Sequence, residues 1–106
     1  MTEREILHAV LRALGSRPDC RVWRNSVGVA VEPSSGRVVR FGVRGSSDVL
    51  GILSGSGRLV SIEVKAPSGR VSQEQQTWLD MVARFGGLSV VARSAADAVN
   101  AIEEAK

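Results

Sequence analysis

Apolar residues recur at helical spacing in three segments of the chain, and each segment predicts a helix. The first helix is expected over residues 3–15, with Gly15 as its natural stop. Its apolar positions are Ile6, Leu7, Val10, Leu11 and Leu14. A second helix is predicted over residues 72–85 and a closing helix over residues 94–105, each beginning at a serine, a residue type that caps helices.

Shorter apolar runs between turn residues predict strands. We expect strands over residues 21–31 (with an irregularity at Gly28), 37–43, 48–53, 58–65 and 88–92. The turn residues at 33–36 and at 54–57 make hairpins of the first two and the next two strands. This order predicts an α/β fold of the α+β kind, in which helices flank a mixed sheet in a single domain over residues 1–106.

Composition narrows the class of protein and the compartment. The chain has 106 residues, of which 43% are hydrophobic, as in globular domains and unlike disordered segments. No apolar stretch approaches the roughly 20 residues of a membrane span, and the acidic start lacks a signal-peptide core. A lone Cys20 forms no disulfide within the chain, so we expect a cytoplasmic protein and no membrane partner.

The charge is unevenly distributed along the chain. Residues 1–70 contain eleven basic and six acidic side chains, a net +5, whereas residues 71–106 are net −2. Twelve of the fourteen basic residues are arginines, which suit bidentate contacts to phosphate. A basic half suggests a polyanionic partner, although charge alone leaves an ordinary solvated surface about as well supported.

The hairpin around residues 54–57 brings two carboxylates together. If its loop is symmetric, Asp48 faces Glu63 across the two strands. Directly opposed Cβ atoms lie about 4.5–5.5 Å apart, and like charges at that distance repel. A cation between the two carboxylates would relieve the repulsion, whereas a loop of odd length would turn Asp48 to the other face.

Lys65 is predicted to share a sheet face with Glu63, while Val64 points to the core. Two carboxylates suit a hard cation such as Mg²⁺. Such an ion activates water and stabilises the charge of a phosphodiester under attack, and Lys65 could orient that water. The plainer alternative is a surface salt bridge between Lys65 and Glu63, with Asp48 merely beginning a strand.

Six sequence pieces occur in an order and spacing that resemble one nuclease family. They are Trp23-Arg24-Asn25, Gly45-Ser46-Ser47-Asp48, Glu63-Val64-Lys65-Ala66, Gly69-Arg70, Ser72-Gln73-Glu74-Gln75 and Trp78-Leu79. The chain is similar to the small stand-alone VRR-NUC domains of the PD-(D/E)XK superfamily. One departure is Ser47, which stands where the superfamily pattern has proline.

The resemblance implies a PD-(D/E)XK restriction-endonuclease-like core of α-β-β-β-α-β order with a C-terminal helix. It also implies a site in which Asp48, Glu63 and the Val64 backbone carbonyl hold Mg²⁺ or Mn²⁺ and Lys65 is catalytic. A helix-borne acid assists directly or through water. We choose Glu3 over Glu5 for that acid, because Glu3 shares the inward face of Ile6 and Leu7.

For the other candidate site residues, a functional and a structural interpretation both stay open. Gln75 is either a helix cap for Ser72 or, as the resemblance implies, a neighbour of the metal site. The candidate nucleic-acid contacts are Arg24, Asn25, Arg44 and Arg70. Any of these arginines is otherwise an ordinary solvated side chain, and Trp78 is interpreted as core packing.

The predicted function is a metal-dependent DNA endonuclease. The resemblance favours branched DNA such as Holliday junctions, a homodimer, and a phage or mobile-element role in host cytoplasm and in DNA repair. One site per chain and two cuts per symmetric junction also favour a dimer. The alternatives are a nuclease for flap, single-stranded or RNA substrates, a catalytically weak nucleic-acid-binding module, and an interaction protein without nuclease activity.

Overall fold

The computed structural model describes residues 1–106 and contains three helices and six strands. In chain order they are α1 (Glu3–Gly15), β1 (Cys20–Arg24), β2 (Gly28–Val31), β3 (Val38–Phe41), β4 (Val49–Leu53), β5 (Leu59–Val64), α2 (Gln73–Arg84), β6 (Leu88–Ala92) and α3 (Ala95–Glu104). The three predicted helices are confirmed within a residue or two at each end. None of them is both long and apolar enough to span a membrane.

Four strands form the main sheet, in the order β1-β4-β5-β6. The first three are antiparallel, and β6 lies parallel to β5 after the crossover through α2. With β2 and β3 set aside, the elements follow the order α-β-β-β-α-β with a C-terminal helix. The expected α/β fold with a mixed sheet and a closing helix is therefore confirmed.

The single strand predicted over residues 21–31 is wrong. It divides into β1 and β2, which belong to different sheets. Asn25 explains the break: its backbone N–H still bonds the Asp48 carbonyl, over 2.8 Å, but its side chain turns into the neighbouring loop. From Gly28 the chain pairs with β3 in a separate two-stranded sheet. Residues 27–43, which contain this hairpin, are called the ribbon below.

Both faces of the β5 region of the main sheet are covered. The side chains of Val60, Ile62 and Val64 join α1 and α3 in the apolar core. Because strand side chains alternate, Ser61 and Glu63 point to the opposite face, where Trp78 of α2 meets Ser61. A carboxylate on β5 is consequently buried without lying in the apolar core.

Candidate functional site

Asp48 and Glu63 lie opposite each other where β4 begins and β5 ends. The strand pairs Val49 with Ile62 and Leu50 with Ser61, so the next position pairs Asp48 with Glu63. The symmetric hairpin loop is therefore confirmed. An oxygen of Asp48 also accepts a hydrogen bond from the Val64 backbone N–H, over 2.9 Å. This bond fixes the Asp48 carboxylate at the end of β5.

Glu63 is almost completely buried, with 2% of its surface exposed. Its Oε1 accepts a hydrogen bond from Gln75 over 2.9 Å, whereas its Oε2 has no hydrogen-bond partner. Burial, followed by the neighbouring Asp48 carboxylate, raises the pKa of Glu63 to about 8. A buried carboxylate oxygen without a donor is costly, and a cation at that position would compensate for the cost.

Lys65 is the nearest positive charge to Glu63. Its Nζ lies 3.8 Å from Glu63 Oε1 and 4.0 Å from Glu3 Oε1, distances too long for strong hydrogen bonds. The lysine side chain is only 11% exposed. Lys65 therefore offsets part of the acidic charge while its ammonium group keeps capacity to donate to another ligand.

The structure separates the two acids at the start of α1. Glu5 closes a capping box, because it accepts a hydrogen bond from the Thr2 backbone N–H over 3.0 Å. Glu3 instead approaches Lys65 and lines a cavity of about 340 Å³. The other residues around this cavity are Arg4, Leu7, Arg24, Asp48 and Val64. Glu3 is thus the acid of α1 that shares the site with Asp48.

Gln75 both caps α2 and contacts Glu63, so the two alternatives do not exclude each other. Its amide oxygen accepts from the Ser72 backbone N–H at 2.9 Å, which completes the capping box of α2. Its amide nitrogen donates to Glu63. One side chain therefore couples the start of α2 to the orientation of a buried carboxylate.

The sequence matches the family model of the VRR-NUC domain over residues 30–96, well over half of the chain. The chain belongs to the VRR-NUC family. The match includes Asp48, Glu63, Lys65 and Gln75, whereas Glu3 lies before it. No curated protein sequence matches the chain. The family gives this VRR-NUC domain a nuclease-type function.

The candidate nucleic-acid contacts occupy different environments in this VRR-NUC domain. Arg24 lines the cavity with Asp48. Asn25 uses its amide nitrogen inside the protein, where it donates to the Ser46 hydroxyl and to the Ser47 carbonyl. Arg44 is exposed and pairs with Glu74 at 2.7 Å, and Arg70 lies on the surface, away from any salt bridge within the chain. Arg24, Arg44 and Arg70 remain accessible, whereas Asn25 shapes the loop that leads to Asp48.

A buried hydrogen-bond chain under the site was not predicted from the sequence. The Trp78 indole N–H donates to the Ser61 hydroxyl over 2.9 Å, and that hydroxyl bonds Ser47 over 2.7 Å. Trp78 is therefore more than the packing residue that helical spacing indicates. These hydrogen bonds also explain why a serine at position 47 suits the VRR-NUC fold here, because its hydroxyl has a buried partner in Ser61.

Gly45 lets α2 approach the loop that carries Asp48. Its φ is +84°, in the left-handed region that favours glycine. A Cβ at this position would lie 2.8 Å from the Glu74 carbonyl oxygen. Any other residue would push the start of α2, and with it Gln75, away from Glu63.

Arg93 holds the loop that follows Lys65, a role that was not predicted from the sequence. Its guanidinium donates to the carbonyl oxygens of Ala66 and Gly69, over 2.8 and 2.7 Å. It follows β6 directly, so the contact joins two segments that are distant in sequence. The signal that could have found it is the position of an arginine at the end of the strand parallel to β5.

The residues of the site fit a hard divalent cation. No group of three or more His, Cys, Asp or Glu side chains is gathered at metal-binding spacing, so protein carboxylates alone would not complete a coordination shell. Mg²⁺ is usually held by one or two carboxylates and keeps several waters. Asp48 and the unpaired oxygen of Glu63 supply that set, with the Val64 carbonyl as the further oxygen that the family implies.

Proposed function

We propose that this VRR-NUC domain is a divalent-metal-dependent phosphodiesterase and acts as a structure-specific endonuclease on branched DNA such as Holliday junctions, as a homodimer. The observation that carries the proposal is the buried Glu63 carboxylate opposite Asp48, with one oxygen lacking a donor and Lys65 beside it. Two facing carboxylates repel each other, so they do not benefit a purely structural surface. They also repel phosphate, so they do not benefit a surface that only binds nucleic acid.

Asp48, Glu63 and the Val64 carbonyl would hold Mg²⁺ or Mn²⁺, with Glu3 assisting directly or through a water. When bound, the ion activates a water and stabilises negative charge on the phosphodiester. The protein orients its ligands in advance: the Val64 N–H fixes Asp48, and Gln75 fixes Glu63. Such second contacts to ligands commonly set metal affinity and activity.

Lys65 would donate to the phosphate or position the attacking water. Its ammonium is held near the site by Glu63 and Glu3 without a short bond to either. If the charge of Glu63 were balanced by a bound ion, Lys65 would be free to donate to the substrate. Arg24, Arg44 and Arg70 would bind flanking phosphates, with Asn25 shaping the approach, since arginine suits phosphate oxygens.

The test is a cleavage assay with labelled four-way junction, flap DNA, duplex DNA, single-stranded DNA and RNA, each with Mg²⁺, Mn²⁺ or EDTA. We expect metal-dependent cleavage that prefers the junction. Asp48→Asn and Lys65→Ala should each lower the cleavage rate by at least about 100-fold. Glu104→Gln, on an exposed turn of α3, removes one acid away from the site and should leave the rate unchanged.

Each alternative function has its own outcome in this assay. Cleavage of flap, single-stranded or RNA substrates in preference to junctions would replace the branched-DNA substrate but keep the chemistry. Binding without cleavage under both metals would favour a nucleic-acid-binding module. Cleavage that persists in EDTA, or in Asp48→Asn, would overturn the metal-dependent mechanism.

A further inference from the structure

Phe41 places an aromatic ring beside the candidate site. It is the last residue of β3 and the only aromatic residue of the ribbon. The residue is 43% exposed, and it lines a cavity of about 510 Å³ together with Asp48 and Gln75. None of the other three aromatic residues of the chain lines this cavity. The candidate metal ligands and Lys65 do not use the ring, so its position needs another explanation.

Two glycines hold the Phe41 ring in this place. Gly28 is its partner across β2 and β3, and a Cβ on Gly28 would lie 2.9 Å from Phe41 Cζ. The ring therefore occupies the space that a side chain at position 28 would fill. Gly42 follows with a φ of +75°, and a Cβ there would lie 2.4 Å from the Ser26 carbonyl oxygen. The backbone thus supports the ring from the hairpin side and leaves its exposed part available to a ligand.

Arginines border the ring in both of the cavities that it lines. Arg24 lines the cavity that contains Asp48, and Arg40 and Arg44 line a second cavity of about 470 Å³ with Phe41. Pockets for small ligands usually measure about 300–1,000 Å³, so each cavity has room for one nucleotide. Surfaces that bind single-stranded nucleic acid combine a basic groove with aromatic side chains in this way.

An unpaired nucleobase is the ligand that fits this combination. Bases within a continuous duplex stack on each other, so their faces are not available to a side chain. A branch or a single strand interrupts that stack and frees a base for an aromatic ring. The three arginines complement the charge of a polyanion, which favours nucleic acid over an apolar protein partner.

We propose that Phe41 stacks on an unpaired nucleobase of the bound DNA, while Arg40 and Arg44 bind the phosphates that flank it. These three residues are called the base subsite below. The inference rests on the proposed function and deepens it, because it names the residue that distinguishes a branch from a continuous duplex. Phe41 is thus a specificity-determining residue, and the bond cleavage itself belongs to the residues around Asp48.

The first test is the affinity for labelled four-way junction, single strand and duplex, from fluorescence anisotropy in EDTA. Loss of one base–aromatic stack weakens binding by about 5- to 150-fold. Phe41→Ala should therefore weaken binding of the junction and the single strand by about tenfold, and binding of the duplex by less than about twofold. Phe41→Trp should retain the affinity. Phe41→Leu keeps an apolar side chain without an aromatic face and should behave like Phe41→Ala.

Phe85→Ala is the matched control, because it removes a more exposed phenylalanine, 77% exposed, at the end of α2. It should bind all three DNA molecules like the wild type, and circular dichroism verifies that each variant is folded. Equal affinities in Phe41→Ala and the wild type overturn the proposal. A change of molar mass in Phe41→Ala without a change in affinity also overturns it, since Phe41 would then lie in a contact between proteins.

The second test locates the base without relying on a change in affinity. A junction with 5-iodouracil at an unpaired position beside the branch is irradiated with the wild-type protein, and the cross-linked peptide is mapped by mass spectrometry. We expect the cross-link at Phe41 in the wild type and in Phe85→Ala, and its loss in Phe41→Ala. A cross-link confined to residues outside the ribbon overturns the proposal.

The outcomes separate this inference from the proposed function. Junction cleavage that is equally fast and equally selective in Phe41→Ala and the wild type leaves the nuclease standing and removes the base subsite. A wild type that binds single strands through Phe41 but cleaves no DNA supports the base subsite and removes the nuclease.

Discussion

The Glu63 carboxyl shows how one residue departs from the solvated carboxylates elsewhere in the chain. Its neighbours Ile62 and Val64 are fully buried, and the alternation of β5 directs Glu63 to the face covered by α2. Only Gln75 donates to it directly, and Lys65 stays at 3.8 Å. The charged form is therefore poorly stabilised unless a cation is present, so the residue responds to both pH and metal.

Without metal, the protein should lose stability as the pH rises from about 5 to 8. The pKa of Glu63 is raised to about 8, mainly by burial, from an ordinary 4.5. The folded state then keeps a proton that the unfolded state releases, so the stabilisation is complete below pH 4.5 and is lost toward pH 8. Each unit of pKa difference corresponds to about 1.4 kcal/mol, so the loss is on the order of 2–4 kcal/mol.

Urea unfolding in EDTA at several pH values measures this dependence. Glu63→Gln should remove most of the slope between pH 5 and 8, whereas Glu104→Gln should retain it. The other carboxyls with shifted pKa values are lowered, Asp19, Glu5, Glu32 and Glu103, so they titrate below this window. A slope that survives unchanged in Glu63→Gln would show that another group is responsible.

At the scale of elements, local sequence determined much of the site. The 54–57 turn and the alternation of β5 were sufficient to place Asp48 opposite Glu63 and Val64 in the core. The sequence pattern did not separate the ribbon from β1, because valine-rich sequence on both sides of Asn25 favours a strand. What ends β1 is the side chain of Asn25, whose partners Ser46 and Ser47 lie some twenty residues later.

Contacts between segments that are distant in sequence explain why other features of the site were not predicted. The bond from Trp78 to Ser61 depends on how α2 lies on the sheet, and helical spacing reports only that a face is covered. The two uses of Gln75 could not be separated from sequence because both place it at the same helix start. Tertiary packing decided both cases.

Arg93 should act as a positioning residue for the segment between β5 and α2. Arg93→Ala removes the guanidinium donor from the Gly69 carbonyl and one of the two donors from the Ala66 carbonyl, which keeps the Gly69 N–H. Hydrogen bonds to charged groups contribute about 1.5–3 kcal/mol. Because this segment connects Lys65 to the capping box of α2, we expect about a tenfold loss in kcat with little change in KM. Faster hydrogen exchange at residues 66–70 would show the loosened loop.

The control for this prediction is Arg84→Ala, which removes an exposed arginine near the end of α2. It should change neither the exchange of residues 66–70 nor kcat. Arg93→Lys should restore the activity only in part, since one ammonium cannot match a planar guanidinium at two carbonyls. Equal exchange rates in Arg93→Ala and the wild type would contradict the positioning role.

At the scale of the whole molecule, the site depends on elements that are far apart in sequence. Glu3 enters from α1, Asp48 and Glu63 from the central strands, and Gln75 from α2. The far end of α1 is fixed by Arg17, which pairs with Asp19 at 2.7 Å and also with Glu103. Arg17 first, then Lys106, hold the pKa of Asp19 well below its usual range. The orientation of α1, and so of Glu3, is set at both ends.

Because these elements meet at one charge cluster, a divalent cation should stabilise the entire fold. At 100 times its Kd, a ligand that binds only the folded state adds about 2.7 kcal/mol. The effect should be larger at pH 8 than at pH 6, because the ion competes with the proton on Glu63 and ligands must be deprotonated. Thermal unfolding with Mg²⁺, Mn²⁺ or EDTA at constant ionic strength measures it without any substrate.

Two variants test whether this stabilisation comes from an ion bound at Asp48. Asp48→Asn keeps an oxygen near the Val64 N–H but removes a negative charge, so the rise in Tm on adding Mg²⁺ should largely disappear. Asp80→Asn, on the exposed face of α2, should retain the full rise. An equal rise in both variants would mean that the ion binds elsewhere. In that case the unpaired oxygen of Glu63 would be occupied by its own proton, and the site would not be a metal centre.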